Sequence, residues 1–209
     1  MEIEKFIALR PYLYHLTCKE NAEKIIAGHR LYSANELIRL SGKKENHAIS
    51  RKRRTKSTPI LIGGETFFLR DQLPISEVNL AKCLTDNWTI SDFLNHLNDR
   101  VFMWPTVLRL TSHFKTYESE KPVIFRFSTA DILAANPHVK FCRLNSGATR
   151  SNSYLNGAPP ERGPRSFLSA SEFDWVPSQV AEVTFEKSCV ITGSYRYGAR
   201  PDGRFRQVQ

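Results

Sequence analysis

The sequence predicts a single mixed α+β domain, and three observations carry that expectation. Short apolar runs with strand character recur along the chain, the clearest being Tyr12–Thr17, Val123–Phe127 and Val180–Glu186. Segments with apolar residues at helical spacing are interspersed with them, among them Ala22, Ile25 and Ile26, then Phe93, Leu94 and Leu97. A chain of 209 residues, 41% hydrophobic and 24% charged, can bury one sizeable core but is short for two independent domains.

Taken in order, Tyr12-Leu13-Tyr14-His15-Leu16-Thr17 alternates aromatic and aliphatic groups and reads as a buried strand. It runs directly into a helical stretch from Cys18 that Gly28 stops. Ser33 caps a second helix with Leu37, Ile38 and Leu40 inward, ending at Gly42. Residues 42–58 are polar and strongly basic and read as a surface loop. Ile60–Ile62 and Thr66–Leu69 flank Gly63-Gly64 as a hairpin. Arg70-Asp71-Gln72 then sets three polar side chains between that strand and Leu73-Pro74. Ser76 begins a helix through Leu80 and Leu84, and Thr89 or Ser91 begins the next. The strand Arg100–Trp104 is ended by Pro105, which suits the first turn of a helix carrying Val107, Leu108 and Leu110.

Further on, Ser128-Thr129-Ala130-Asp131 resembles a capping box, and Val139–Leu144 is a strand. Residues 145–170 break every period with Gly147, Gly157, Gly163, Pro159, Pro160 and Pro164, interleaved with Arg150, Arg162 and Arg165. A stretch of that length is a functional loop or a disordered one. In Val180–Glu186, Ala181, Val183 and Phe185 face one way and Glu182, Thr184 and Glu186 the other. The domain is expected to fill residues 1–192, with 193–209 a basic C-terminal tail.

Thirty Lys and Arg against 21 Asp and Glu give a net charge of +9. The excess lies in Arg51–Lys56 and in Arg196, Arg200, Arg204 and Arg206. Such clusters neutralise nucleic-acid phosphates, and they serve equally as a solvated loop and chain end. The cysteines at 18, 83, 142 and 189 form no CxxC pair, which argues against a disulfide framework or zinc site. With no apolar run of membrane length and no basic-then-apolar leader, a reducing cytoplasm is the expected setting. The chain has no HExxH, no phosphate-binding GxxxxGK[ST], no GxSxG elbow and no Glu followed two residues later by Lys.

What remains is a set of polar residues at strand ends: His15, Thr17, Arg70, Asp71, Gln72, Asn145, Ser146, Arg150 and Glu182. A strand ending His-x-Thr that runs into a helix brings an imidazole, a hydroxyl and helix amides to one point, which suits a sugar hydroxyl or phosphate. The plainer readings are that His15 is a satisfied core histidine, that Thr17 caps the helix, and that Glu182 lies on a solvated strand face.

Tyr14-His15-Leu16-Thr17 with Asn21, Ile25 and Gly28 resembles the opening of ADP-ribosyltransferase folds of the DarT toxin type, which modify DNA bases using NAD. Gln179-Val180-Ala181-Glu182-Val183 resembles the strand on which that family carries its catalytic glutamate. The middle, with Leu69–Pro74, Arg100–Pro105 and Asn145–Arg150, looks more like an uncharacterised group of small bacterial domains. The resemblance implies an ADP-ribosyltransferase-like α+β fold that uses NAD as substrate and no metal.

It also implies residue roles. Glu182 would be the carboxylate that stabilises the charge built up when the nicotinamide–ribose bond breaks. His15, Leu16 and Thr17 would hold a ribose hydroxyl and the nicotinamide amide, with Asn21 beside them. An arginine is needed on the pyrophosphate or on the target, and Arg51, Arg54 and Arg70 compete for it. The working assignment sets Arg51 beside Glu182, Arg70 on NAD and Arg54 on nucleic acid. Phe102 and Trp104 offer an aromatic face for nicotinamide or a base, or are core aromatics. Residues 145–170 would recognise the acceptor, with Asn145, Arg150, Arg162 and Arg165 on nucleic acid, DNA favoured over RNA. A toxin of this kind implies an antitoxin or a reversing hydrolase as partner, and no membrane. Two other functions stay open on the residues: an RNA 2′-phosphotransferase-like NAD enzyme and a non-catalytic basic nucleic-acid-binding module.

Overall fold

The computed structural model describes residues 1–150 and 156–208. Helix α1 (Ile3–Leu9) leads into β1 (Tyr12–Thr17), α2 (Lys19–Gly28), β2 (Arg30–Tyr32) and α3 (Ala34–Leu40). The hairpin β3 (Thr58–Ile62) and β4 (Glu65–Leu69) follows, then α4 (Glu77–Ala81), α5 (Ile90–Asn98) and β5 (Arg100–Met103). The chain continues through α6 (Val107–Tyr117), β6 (Val123–Ser128), α7 (Thr129–Ala135) and β7 (Val139–Cys142). It finishes with β8 (Glu182–Glu186), β9 (Ser188–Val190), β10 (Arg196–Gly198) and β11 (Arg206–Gln207). The architecture is mixed, with small antiparallel sheets and several helices, as the alternation of strand and helix patterns predicts.

Two sheets position the site. One has the order β1-β6-β10-β11, with His15 opposite Phe125 and Thr17 opposite Val123. The other has the order β5-β8-β7, with Phe102 opposite Thr184 and Cys142 opposite Glu182. A core of Phe6, Leu13, Val101, Met103, Phe125, Phe127, Phe141, Val183 and Phe185 packs around the two. Burying each of these large side chains stabilises the fold by about 1.5–3 kcal/mol before chain entropy is counted. The two-residue turn Gly63-Gly64 has φ of 56° and 87°, the left-handed conformation that a tight hairpin demands of both residues.

Several boundaries differ from the sequence reading, for local reasons. The stretch expected to be a basic surface loop contains a 3₁₀ helix, Lys44–Arg51. Helix α2 runs through Gly28, and it is His29 that turns left-handed, at φ 46°. Helix α6 begins after Pro105, because the Thr106 hydroxyl accepts from the Arg109 N–H at 3.2 Å and so takes the cap. The helix expected from Ser76 to Leu84 stops at Ala81, where the Arg162 N–H donates to the Cys83 carbonyl at 2.7 Å. The basic tail is folded: Arg196–Gly198 pairs with β6, and the Arg126 guanidinium lies 4.9 Å from the Phe205 ring and 4.7 Å from the Tyr12 ring. Part of the long loop, residues 151–155, lies outside the described residues. Among the described residues, no helix is long and apolar enough to cross a membrane.

Candidate functional site

The two sheets meet where Tyr14 and Trp104 exchange backbone hydrogen bonds, Tyr14 N–H to Trp104 O at 2.9 Å and Trp104 N–H to Tyr14 O at 2.8 Å. This bridge brings the end of β1 against β5. Beside it, His15 Nδ1 lies 2.9 Å from the Phe102 carbonyl. A carbonyl only accepts, so Nδ1 carries the proton and Nε2 is left as an acceptor. Burial, helped by the nearby Arg70 charge, pulls the His15 pKa down to about 4 against the stabilising Phe102 bond, so the ring is neutral at pH 7.

The register of β5 on β8 decides which residues face His15. Phe102 pairs with Thr184 and Met103 with Val183, so Phe102, Thr184 and Glu182 share one face while Val101, Met103, Val183 and Phe185 point into the core. Glu182 is thus not on a solvated strand face: it is 5% exposed, and its Oε2 accepts from the Ser146 N–H at 2.8 Å. Desolvation raises its pKa above 4.5, opposed by that N–H and by Arg162 and Arg109. Among the described residues Oε2 alone of the two carboxylate oxygens is hydrogen-bonded.

His15 and Glu182, 167 positions apart in the chain, both line one cleft of about 500 Å³. Leu16, Thr17, Asn21, Arg54, Arg70, Phe102, Trp104 and Asn145 line it too, so ten of the predicted site residues are brought together. A second hollow of about 540 Å³ continues from it, sharing His15, Thr17 and Asn21 and bordered by Lys24, Arg30 and Phe67. Two of the cleft residues have structural duties. Asn21 bonds the Phe68 backbone in both directions, donating to its carbonyl at 2.8 Å and accepting from its N–H at 2.9 Å. Trp104 is 6% exposed, with His113 stacked on it at 4.3 Å.

The opposite wall joins Arg54, Arg70, Asp71 and Gln72, which the sequence singles out, to Asn98, His113, Tyr117 and Glu120, which it does not. Arg54 donates from Nε to the Arg70 carbonyl at 2.9 Å and from Nη2 to Asn98 Oδ1 at 2.9 Å. Asn98, nearly fully buried, also accepts from Gln72 Nε2 at 3.0 Å and donates to the Ser50 carbonyl at 2.8 Å. The Arg70 guanidinium lies 4.1 Å over the Tyr117 ring and pairs with Glu120 at 3.1 Å. The Tyr117 hydroxyl donates to Asp71 Oδ1 at 3.0 Å, and burial together with that carboxylate raises the phenol's pKa. His113 is held neutral as His15 is, its pKa lowered to about 3 by burial, Arg70 and His15. The one signal pointing here was Arg70-Asp71-Gln72 after an apolar strand; Asn98 and Tyr117 lie on helices whose patterns read simply as amphipathic.

Of the remaining arginines, Arg51 and Arg162 sit elsewhere than expected, whereas Arg150 and Arg165 are on the surface, where a recognition loop would present them. Arg51 is exposed, does not line the cleft and pairs with Asp92 at 3.0 Å, so in this conformation it is not beside Glu182. Arg150 and Arg165 are exposed and do not line the cleft. Arg162 is 2% exposed, and so is not presented to a phosphate backbone. It donates instead to the Ala148 carbonyl at 2.8 and 3.1 Å and to the Asn145 carbonyl at 2.8 Å. It thereby ties down the turn whose Ser146 N–H holds Glu182. Among the described residues no cluster of His, Cys, Asp or Glu is arranged to hold a metal ion.

The chain belongs to a family of unknown function, DUF7002, whose model matches residues 11–192. No curated protein gives a significant match, and no solved structure does.

Proposed function

We propose that this member of the DUF7002 family is an NAD-dependent ADP-ribosyltransferase with an ADP-ribosyltransferase-like fold, acting on nucleic acid and on DNA in preference to RNA. The observation that carries this reading is the convergence, in one cleft, of a buried carboxylate with a raised pKa and a neutral histidine with a fixed tautomer. In the reaction the bond between the ribose C1′ and the nicotinamide nitrogen breaks, and its electron pair neutralises the pyridinium. The acceptor's nucleophile forms the new bond to C1′ and gives up a proton. Glu182, with Oε2 held by Ser146, stabilises the positive charge on the ribose and takes that proton. His15 Nε2 accepts from a ribose hydroxyl, and Thr17 contacts the same region. Cleft volume is adequate for a ligand of this class.

A second reading has its own support. Arg54, Arg70 and Arg100 all line the cleft, and an RNA 2′-phosphotransferase-like enzyme requires several arginines on the phosphate it removes. The two readings separate in one experiment. Purified protein is given adenylate-labelled NAD with single-stranded DNA, duplex DNA, RNA or RNA bearing an internal 2′-phosphate. Stable label on DNA is the expected result, with an antitoxin or reversing hydrolase as the natural partner of such an activity. Removal of the 2′-phosphate with no label left on RNA would favour the second reading. Salt-sensitive binding to nucleic acid without consumption of NAD would leave a non-catalytic module.

A further inference from the structure

Arg54 is an unusual residue for a basic loop. Its neighbours Arg51, Lys52 and Thr55 are exposed, whereas Arg54 is 9% exposed and lines the cleft. Two of its nitrogens are satisfied, by the Arg70 carbonyl and by Asn98. The third, Nη1, is closed to water and has no hydrogen-bond partner among the described residues. A buried guanidinium N–H left without an acceptor is costly, and a ligand in the cleft can supply one. Arg100, on the same cleft, likewise has Nε and Nη1 buried without a hydrogen-bond partner among the described residues. Next to it, Arg70 is held by a contact that is easy to exchange. Its partner Glu120 is half exposed, and ion pairs of that kind contribute little. The other charges here are the Asp71 carboxylate, whose Oδ1 already accepts from the Tyr117 hydroxyl and the Leu73 N–H at 3.0 Å each, and two histidines that stay neutral. Arg100, which also lines the cleft, pairs with Glu186 at 3.7 Å. On this wall three guanidinium groups therefore stand against Asp71, Glu120 and Glu186, and displacing Glu120 leaves one positive charge for an incoming anion.

We infer that this wall is a phosphoryl-binding subsite, in which a phosphate oxyanion of the ligand caps Arg54 Nη1 and replaces Glu120 on Arg70. Asn98 and Gln72 orient Arg54 for it. Arg54 rather than Arg51 serves here because it is buried on the cleft and has an unpartnered N–H, which side-chain movement on binding would present to the anion. The phosphate has two natural sources, the diphosphate of a dinucleotide or the backbone of a nucleic acid. The first rests on the proposed use of NAD; the anion site itself does not.

The test is a set of titrations followed by protein fluorescence and thermal shift, with inorganic pyrophosphate, ADP-ribose, adenosine and a 5′-phosphorylated trinucleotide. Pyrophosphate and ADP-ribose should bind, with adenosine weaker than ADP-ribose by about tenfold or more. Arg54→Lys, which keeps the charge but loses the fork, should weaken pyrophosphate by about tenfold. Glu120→Gln, at a half-exposed site that does not threaten folding, should tighten it by roughly two- to fivefold. Tighter ADP-ribose than trinucleotide assigns the dinucleotide as source, and the reverse order assigns the nucleic acid. Should Arg54→Lys fail to fold, the Glu120→Gln comparison decides. No pyrophosphate binding by the wild type, or affinity unmoved by Glu120→Gln, would overturn the subsite. Pyrophosphate binding in a protein that never consumes NAD would uphold the subsite and sink the proposed activity; NAD consumption with adenosine bound as well as ADP-ribose would do the opposite.

Discussion

The two walls of the cleft are built by different means. On one side, His15, Phe102 and Glu182 are fixed by backbone pairing: the Tyr14–Trp104 bridge and the β5–β8 register determine where each points. On the other, Arg54, Arg70, Gln72 and Asn98 are held by side-chain bonds between segments 16 to 48 residues apart. A sheet register is cooperative and tolerates the loss of one side chain, whereas a side-chain network loses several bonds when one member goes. The carboxylate and imidazole therefore sit on strands fixed by register, and the arginines on a network of side-chain bonds.

The largest effect is expected at Arg162, whose side chain holds the turn that bonds Glu182. Arg162→Ala removes three hydrogen bonds to the 145–148 turn and should cost about 3 kcal/mol in urea unfolding. It should also lower label transfer more than tenfold by freeing Glu182, and an unchanged transfer rate would show that the Ser146 contact is not needed. Next, Asn98→Ala should cost about 2 kcal/mol, since it strips acceptors from Arg54 and Gln72 together and a donor from Ser50. Pyrophosphate affinity should fall with it. A stability change below about 0.5 kcal/mol would mean the network is not cooperative.

A smaller effect comes from pH. His15 and His96 have folded pKa values near 4 and His113 near 3, all below the ordinary 6.5. The unfolded chain therefore binds protons first, so the histidine contribution is full above pH 6.5 and is lost as pH falls towards 4. Each histidine should account for on the order of 1 kcal/mol between pH 6.5 and 5. His113→Phe should flatten the dependence, and an unchanged slope would contradict burial of a neutral ring there. The smallest effect is expected at Arg51: Arg51→Ala removes only the exposed pair with Asp92 and should shift stability by less than about 0.5 kcal/mol. Transfer that collapses in this variant would return Arg51 to the site.

The asymmetry between the walls also explains what could be read in the sequence. Strand alternation showed that Glu182 faces away from Val183 and Phe185, and His-x-Thr marked the end of β1. Local pattern could not tell whether the polar face of β8 meets water or a neighbour, because the answer lies in β5, β7 and the Ser146 turn, each far away in the chain. The basic run 51–56 looked uniform, yet only Arg54 turns inward, drawn by the Arg70 carbonyl and Asn98. The packing of the tail was illegible for a similar reason: its short pairing with β6 has too few residues to show a period, and its aromatic anchors, Tyr195 on Phe125 and Phe127 and Phe205 on Tyr14, are isolated in the sequence.

Glu182 is proposed to act on the nicotinamide–ribose bond from a frame that does not depend on its charge. The direct measurement is nicotinamide release from NAD by wild type and Glu182→Gln, alongside their thermal unfolding. Because burial raises the Glu182 pKa, its ionisation disfavours the folded state as pH rises above 4.5, so the amide should leave the melting temperature unchanged or higher. Release should nevertheless fall by about 10²-fold or more. Release at the wild-type rate from a stably folded Glu182→Gln protein would contradict the account.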